Sequence, residues 1–318
     1  MTNPTPPSED LDLYQRADRN IRESAIGYAL LFSACISVFT TVAIVYILAS
    51  ETINFFGTVS VGEFLFGKTL ENGSYSCTWT PQFATKEFCV LPTVNGTLLV
   101  ALIAMALATP LGLATAIYLS EYASPRVSKL LRPAIELLAG VPTVVYGYFA
   151  LTFVTPLLSK LIPGLNGFNA LSAGLVMGVM IIPTIASVST DAMVAVPSSL
   201  REAAFGIGST KKEVSLQVVM PAALSGICAA IILGISRAVG ETMIVAIAAG
   251  QSPTLTLDPR QTVGTMTAYI AQVAKGDSRV GSVEYQALFA VGMTLFLITL
   301  VLNIISKMIS KRFQETYD

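Results

Sequence analysis

Histidine is missing from all 318 residues. Its absence removes the side chain that titrates nearest neutral pH, the usual base that activates a serine or cysteine nucleophile, and the commonest metal ligand. Charge is also scarce, at 12% of residues, about half of what an ordinary soluble domain carries (~25%). No basic stripe is present to follow a nucleic-acid backbone, and a net charge of −1 points to neither a basic nor an acidic partner. No catalytic constellation, no metal site and no cofactor held by this chain are expected.

What fills the sequence is apolar, 53% of it, gathered into runs. A run of about 20 residues is long enough to cross a bilayer as a helix, and six stand at approximately 26–49, 94–119, 133–158, 170–190, 225–249 and 286–306. Lipid offers backbone groups no partners, and the runs lack the alternation of barrel strands. The expectation is therefore an all-α polytopic membrane protein with six transmembrane helices. Pro110, Pro142 and Pro183 fall inside spans two, three and four, where each would kink its helix. Residues 1–25 are polar, with three prolines among the first seven positions and Arg16, Arg19 and Arg22 behind them, which is not the layout of a cleavable signal peptide.

Six spans put both termini on one side. With the N-terminus inside, twelve Lys and Arg fall in inner segments and six in outer ones, only Arg237 lying within a span, so both termini are expected in the cytoplasm. The chain then divides into a cytoplasmic segment 1–25, a first span with its periplasmic loop 26–93, a transmembrane domain 94–306, and a cytoplasmic tail 307–318. The outer segments 50–93 and 250–285 are expected to be loops. Cys35 and Cys228 sit in apolar runs as small hydrophobes, whereas Cys77 and Cys89 share an outer polar segment where a disulfide is expected and two free thiols are the alternative.

The inner segment from Asp191 to Leu224 is punctuated as two short helices. Ser199 with Glu202, and Thr210 with Glu213, have capping-box spacing; Gly208 is placed to end the first helix in a left-handed conformation; Pro221 stops the second. The first helix, 200–207, shows Ala203, Ala204, Phe205 and Ile207 where no lipid covers them, so they either fold back on this chain's own spans or meet a partner. The string Glu202-Ala203-Ala204, Gly208, Val218, Met220-Pro221 resembles the EAA motif of permease subunits of binding-protein-dependent ABC importers, with Val218 and Met220 in place of Ile and Leu. That resemblance implies a coupling helix within 199–221 that seats in a cytoplasmic ATPase, and a type I ABC importer permease fold.

Arg237 stands midway along span five, where an arginine costs at least about 2.5–3.5 kcal/mol, and Glu241 follows at i+4, one turn along the same face. Two roles fit: a structural ion pair, or an aqueous pathway in which Arg237 offers its planar fork to an oxyanion while Glu241 serves as switchable counter-charge or proton acceptor. The string Arg237-Ala238-Val239-Gly240-Glu241-Thr242-Met243 resembles the signature of Pst-type phosphate permeases, nearer the PstC branch than PstA, and 136–147 and 180–184 resemble their third and fourth spans. The resemblance covers roughly 94–306. It implies Arg237, Gly240, Glu241 and Thr242 along a phosphate pathway, a PstA-type second permease, two ATPase subunits that hold ATP and Mg, a periplasmic phosphate-binding protein, and the bacterial inner membrane. Sulfate or molybdate is the alternative cargo; a stand-alone secondary transporter is a further alternative, though it leaves the EAA motif without a role. Glu136, a turn inside span three, is read either as a helix-end carboxylate paired with Arg132 or as a contact at a gate or a subunit interface. The string from Gly62 to Thr69 satisfies the P-loop pattern but is declined, because its variable positions are bulky and no α/β domain surrounds it. The sequons at Asn72 and Asn95 imply glycosylation only in a eukaryotic secretory pathway, against which the permease resemblance argues.

Overall fold

The computed structural model describes residues 21–69, 75–81, 86–276, 279 and 281–312. Arg16, Arg19 and Asn72 lie outside them. Met1–Ser50 and Glu51–Asp318 form separate compact units. In the first, α1 (Ile21–Phe56) begins earlier and ends later than its apolar run. Along it Ser33 donates to the Ala29 carbonyl and Thr40 to that of Ile36, one turn back.

The second unit opens with α2 (Val61–Phe66) and a hairpin of β1 (Lys68–Thr69) and β2 (Tyr75–Ser76), paired antiparallel with Lys68 opposite Ser76. There follow α3 (Leu91–Ile117, prolonged by a π-helical turn at Tyr118–Tyr122), α4 (Pro125–Ala139), α5 (Thr143–Ser159), α6 (Ala170–Val194), α7 (Ser198–Gly206), α8 (Lys211–Ala222), α9 (Leu224–Gly240), α10 (Met266–Lys275) and α11 (Val283–Arg312). Four helices are long and apolar enough to cross a membrane alone: Ile26–Phe56, Leu91–Tyr122, Ala170–Val194 and Val283–Ile309. Two further pairs are bent, α4 with α5 at 83° and α8 with α9 at 73°, and the crossings number six when each pair contributes one.

The centre of the bundle is α6. Glycines let backbones close on it from one side: a Cβ at Gly174 would stand 2.7 Å from Ile103 Cβ, one at Gly178 2.9 Å from the Ala104 carbonyl, and one at Gly112 2.8 Å from Ile185 Cβ. These pairs advance together along both chains, so α3 and α6 run parallel. On another side Gly226 meets Ala192 and Gly234 meets Ile181 and Ile185, so α9 runs antiparallel to α6. Close approach over small residues is how helices associate where lipid removes the hydrophobic incentive. Met177, Met180, Ile181 and Ile185 are fully buried as a result.

Three expectations are corrected. Span three is not one kinked helix: Gly140 closes α4 and Pro142 stands at the N-cap of α5, because proline cannot donate within a helix but suits its start. Pro110 and Pro183 do stay inside α3 and α6. Span five does not run unbroken to 249, since α9 ends at Gly240 and Glu241 is extended (φ −68°, ψ 132°) before a π-helical turn at Val245–Ala249. The segments 50–93 and 250–285 are more than loops. A cluster of Phe55, Phe64, Trp79, Phe88 and Tyr269 packs edge to face, with Trp79 and Tyr269 centroids 5.0 Å apart. The 250–265 strap crosses the start of α6, where the carbonyls of Gln261 and Pro259 take the amides of Ala170 and Leu171, and Asn169 caps Ser172. The orphan donors of a helix start are thereby satisfied.

Candidate functional site

Arg237 lies one turn beyond Gly234, where α9 packs against Ile181 and Ile185 of α6. Its Nη1 reaches across and donates to Thr184 Oγ1 at 3.0 Å. Thr184 sits halfway along α6 and is half-buried, as is Arg237. From α5, the buried Tyr146 stands within electrostatic reach of the guanidinium, and its hydroxyl donates to the Leu138 carbonyl at 2.7 Å, fastening α5 to the end of α4 across their bend.

The expected pair with Glu241 does not form. Once α9 ends at Gly240, positions 237 and 241 no longer share a helical face, and the Glu241 carboxylate accepts the amides of Met243 (3.0 Å) and Ile244 (3.2 Å) instead. Its carbonyl accepts from Thr267 Oγ1 at 2.6 Å. Glu241 thus caps the corner, with Gly240 exposed and Thr242 half-buried beside it. Among the described residues no ion pair involves Arg237. One hydroxyl meets one of five guanidinium donors, and a hydrogen bond to a charged group returns only about 1.5–3 kcal/mol. A mid-span cation is left with most of its donors for water or for an anion.

Toward the end of the bundle that carries α7 and α8, Arg132 is held by Asp191 at 3.5 Å rather than by Glu136, because α4 packs on α6 through that side. Glu136 joins both in lining a cavity of about 70 Å³ with Ser187 and Thr190.

The α7–α8 segment departs from expectation at one cap. Pro197, not Ser199, stands at the N-cap of α7, so Ser199 and Glu202 form no capping box. Thr210 and Glu213 do, each bonding the other's backbone amide. The Thr210 hydroxyl, and after it the Thr210 amide, donate to the Glu213 carboxylate and lower its pKa. Gly208 has φ +88°, the left-handed conformation that only glycine takes without strain. Pro221 lies within the last turn of α8, just ahead of the 73° bend. Ala204 is buried against Val214 and Val219, while Glu202, Ala203, Phe205 and Ile207 are exposed, Ile207 at 86%. The helix therefore folds back through Leu200 and Ala204 and leaves its other apolar edge free. Arg201, which sequence reasoning passed over, donates to the carbonyls of Val196 (2.6 Å) and Met193 (2.8 Å) and pairs with Glu121 at 3.2 Å. It caps α6 with a cation, favourable at a helix C-terminus, and joins α3, α6 and α7 in one joint.

At the opposite end Cys77 and Cys89 are joined by a disulfide, Cα–Cα 5.1 Å. The P-loop-like string puts a helix before Gly67 and a strand after it, the reverse of a phosphate cradle.

A bundle of six crossings with a lone mid-span arginine and a half-covered helix pair at one end is the layout of a membrane permease. The family described as binding-protein-dependent transport system inner membrane component matches residues 108–315, and the chain belongs to it. It is 34% identical over 277 residues to the probable ABC transporter permease protein YqgH of Bacillus subtilis, spanning 86% of this chain and 89% of that one. It is 33% identical over 264 residues to the phosphate transport system permease protein PstC of Xylella fastidiosa, spanning 76% and 79%. Among solved structures, a bacterial ABC transporter that imports the acidic polysaccharide alginate shares the fold with a TM-score of 0.64 at 14% identity, over 96% of this chain and 100% of that one. The MetNI methionine ABC transporter does so at 0.55 and 16%, over 71% and 94%.

Proposed function

We propose that the chain is the non-catalytic permease subunit through which inorganic phosphate crosses the bacterial cytoplasmic membrane, in an importer powered by ATP and Mg bound to separate subunits. The observation that carries this is Arg237, a half-buried mid-span cation whose only bonded partner among the described residues is a neutral hydroxyl. Such a group favours an anion in transit, and its fork matches the spacing of phosphate oxygens. Several relatives of comparable length are named phosphate transport system permease proteins, which supports phosphate among the oxyanions.

A PstA-type second permease completes the pathway, two ATPase subunits serve the pair, one of them seating on α7 and its C-cap through Glu202, Ala203, Phe205 and Ile207, and a phosphate-binding protein delivers cargo at the disulfide end. Both termini and the α7–α8 segment lie in the cytoplasm, in keeping with the Lys and Arg distribution. Gly240, Glu241 and Thr242 form the corner that ends the arginine's helix and so fix its depth.

The test is uptake of labelled phosphate against labelled sulfate in vesicles carrying the whole complex. Arg237→Gln is expected to cut phosphate uptake by at least about tenfold with the ATPase still co-purifying, and Arg237→Lys, which keeps charge but loses the fork, to fall between. Undiminished uptake by Arg237→Gln, or equal uptake of sulfate, overturns the reading.

A further inference from the structure

The face of α6 that carries Thr184 continues toward the cytoplasm through Ser187 to Asp191, positions spaced three and then four residues apart and so aligned on one helical stripe. Seven residues descend about 10 Å along the axis. At the foot of that stripe is the cavity of about 70 Å³ between α4 and α6, walled by Leu119, Ile135 and Ala186 and by the polar groups of Arg132, Glu136 and Asp191. Arg132 Nη1 and Asp191 Oδ1 close across it at 3.5 Å, with side chains 40% and 67% exposed. The same helix α4 is tied at its far end to Tyr146, within reach of Arg237, through the Leu138 carbonyl.

We propose that this cavity is the inner barrier of the pathway, a second oxyanion station one short step below Arg237, kept shut by the Arg132–Asp191 pair. The proposal rests on the reading of Arg237 as the guide for the anion. A phosphate released from Arg237 meets the Ser187 hydroxyl on the way and then Arg132, whose guanidinium exchanges the Asp191 carboxylate for the anion. An exposed ion pair is weak, which suits a contact that must open once in every cycle, whereas a buried one resists separation. Glu136, in the same wall, accepts a hydrogen bond only from an anion that still carries a proton, so the station favours protonated phosphate over fully ionised sulfate. Because α4 meets α5 at 83° across Gly140 and Pro142, movement of α4 away from α6 separates the pair without unfolding a helix, and Tyr146 carries that movement to the surroundings of Arg237.

The test is ATP-independent release of labelled phosphate from loaded vesicles containing the whole complex. Arg132→Asp and Asp191→Arg, each placing like charges opposite one another, are expected to raise release about fivefold, and the double exchange to return it to the parent rate. Assembly is followed by the amount of ATPase that co-purifies. If a single charge reversal fails to assemble, Asp191→Asn, which removes attraction without adding repulsion, is read in its place and should give about a twofold rise. Single variants that leak no more than the parent overturn the proposal, as does a double exchange that leaks as much as the singles. Adding Arg237→Gln to Arg132→Asp separates the two readings. If the leak falls, both stand; if the single variants leak and the addition leaves that leak intact, the barrier stands and the reading of Arg237 fails.

Discussion

The two extramembranous ends of this permease differ in how complete they are. The disulfide end is knitted to itself: Cys77 to Cys89, five aromatic rings edge to face, Lys86 paired with Glu284, and the strap bonded to the start of α6. The α7–α8 end has good local punctuation but leaves Phe205 and Ile207 uncovered, at 48% and 86%. The disulfide end exposes apolar side chains too, Phe66 at 65% and Leu257 at 81%, so the difference lies in how each end is held: one is cross-linked to itself, while the other rests on local caps and presents its apolar edge on a short helix, where a partner can seat. Under the proposed function, the first end is the one that receives cargo and the second the one that seats the ATPase.

The largest effect should come from removing what makes the disulfide end self-sufficient. Replacing both Cys77 and Cys89 by Ser opens a loop whose ends are twelve residues apart, and is expected to cost that end about 2–4 kcal/mol. Limited proteolysis of the intact complex should then cut between β2 and α3 first, while the ATPase remains bound. If the ATPase is lost as well, the two ends are not the independent regions contrasted here. Next in size is Ile207→Asp, which is expected to leave the fold of α7 intact because the side chain is 86% exposed. ATPase capture is expected to fall about thirtyfold, the scale of an interface hot spot. Capture within about twofold of the parent would show that the exposed edge is not the seat.

Why one end was readable in sequence and the other was not follows from the range of the forces involved. Thr210, Glu213 and Gly208 act on neighbours within a few residues, and their pattern announces a capped helix whatever surrounds it. Ser199 had the same spacing, yet Pro197 two residues earlier set the start of α7, since its fixed φ and missing amide decide the cap first. The aromatic cluster joins Phe55, Trp79 and Tyr269 across more than 200 residues, and no local pattern encodes that. The same holds within the membrane. Arg237 was conspicuous because a charge in lipid needs a reason, but its partner Thr184 is 53 residues away, marked only by standing after an in-helix proline. The assumption of an unbroken helix through Glu241 failed because apolar runs report burial and not backbone continuity; Gly240 was the one local sign of a break. Thr267, which fastens that break from α10, carried no sign at all.

The smallest effect probes the capping box at the α7–α8 end. Glu213 accepts from both the Thr210 hydroxyl and the Thr210 amide at 2.7 Å, and these bonds, more than Lys212, lower its pKa from the ordinary 4.5. A carboxyl whose folded pKa lies below its unfolded one contributes stability that is complete above the unfolded value and is lost as pH falls through the folded one. The start of α8 should therefore stay ordered from neutral pH down to the usual carboxylate range and loosen below it. Hydrogen exchange at the amides of Thr210 and Glu213 measures this. Thr210→Ala should speed exchange there by about fivefold at neutral pH and weaken the acid transition, because the amide of residue 210 still bonds the carboxylate but the hydroxyl, the larger cause of the lowered pKa, is gone. The Cys77–Cys89 end should keep its protection under the same variant. A loss of protection there would mean that the joint made by Arg201, Glu121 and the end of α6 transmits strain along the full length of the bundle.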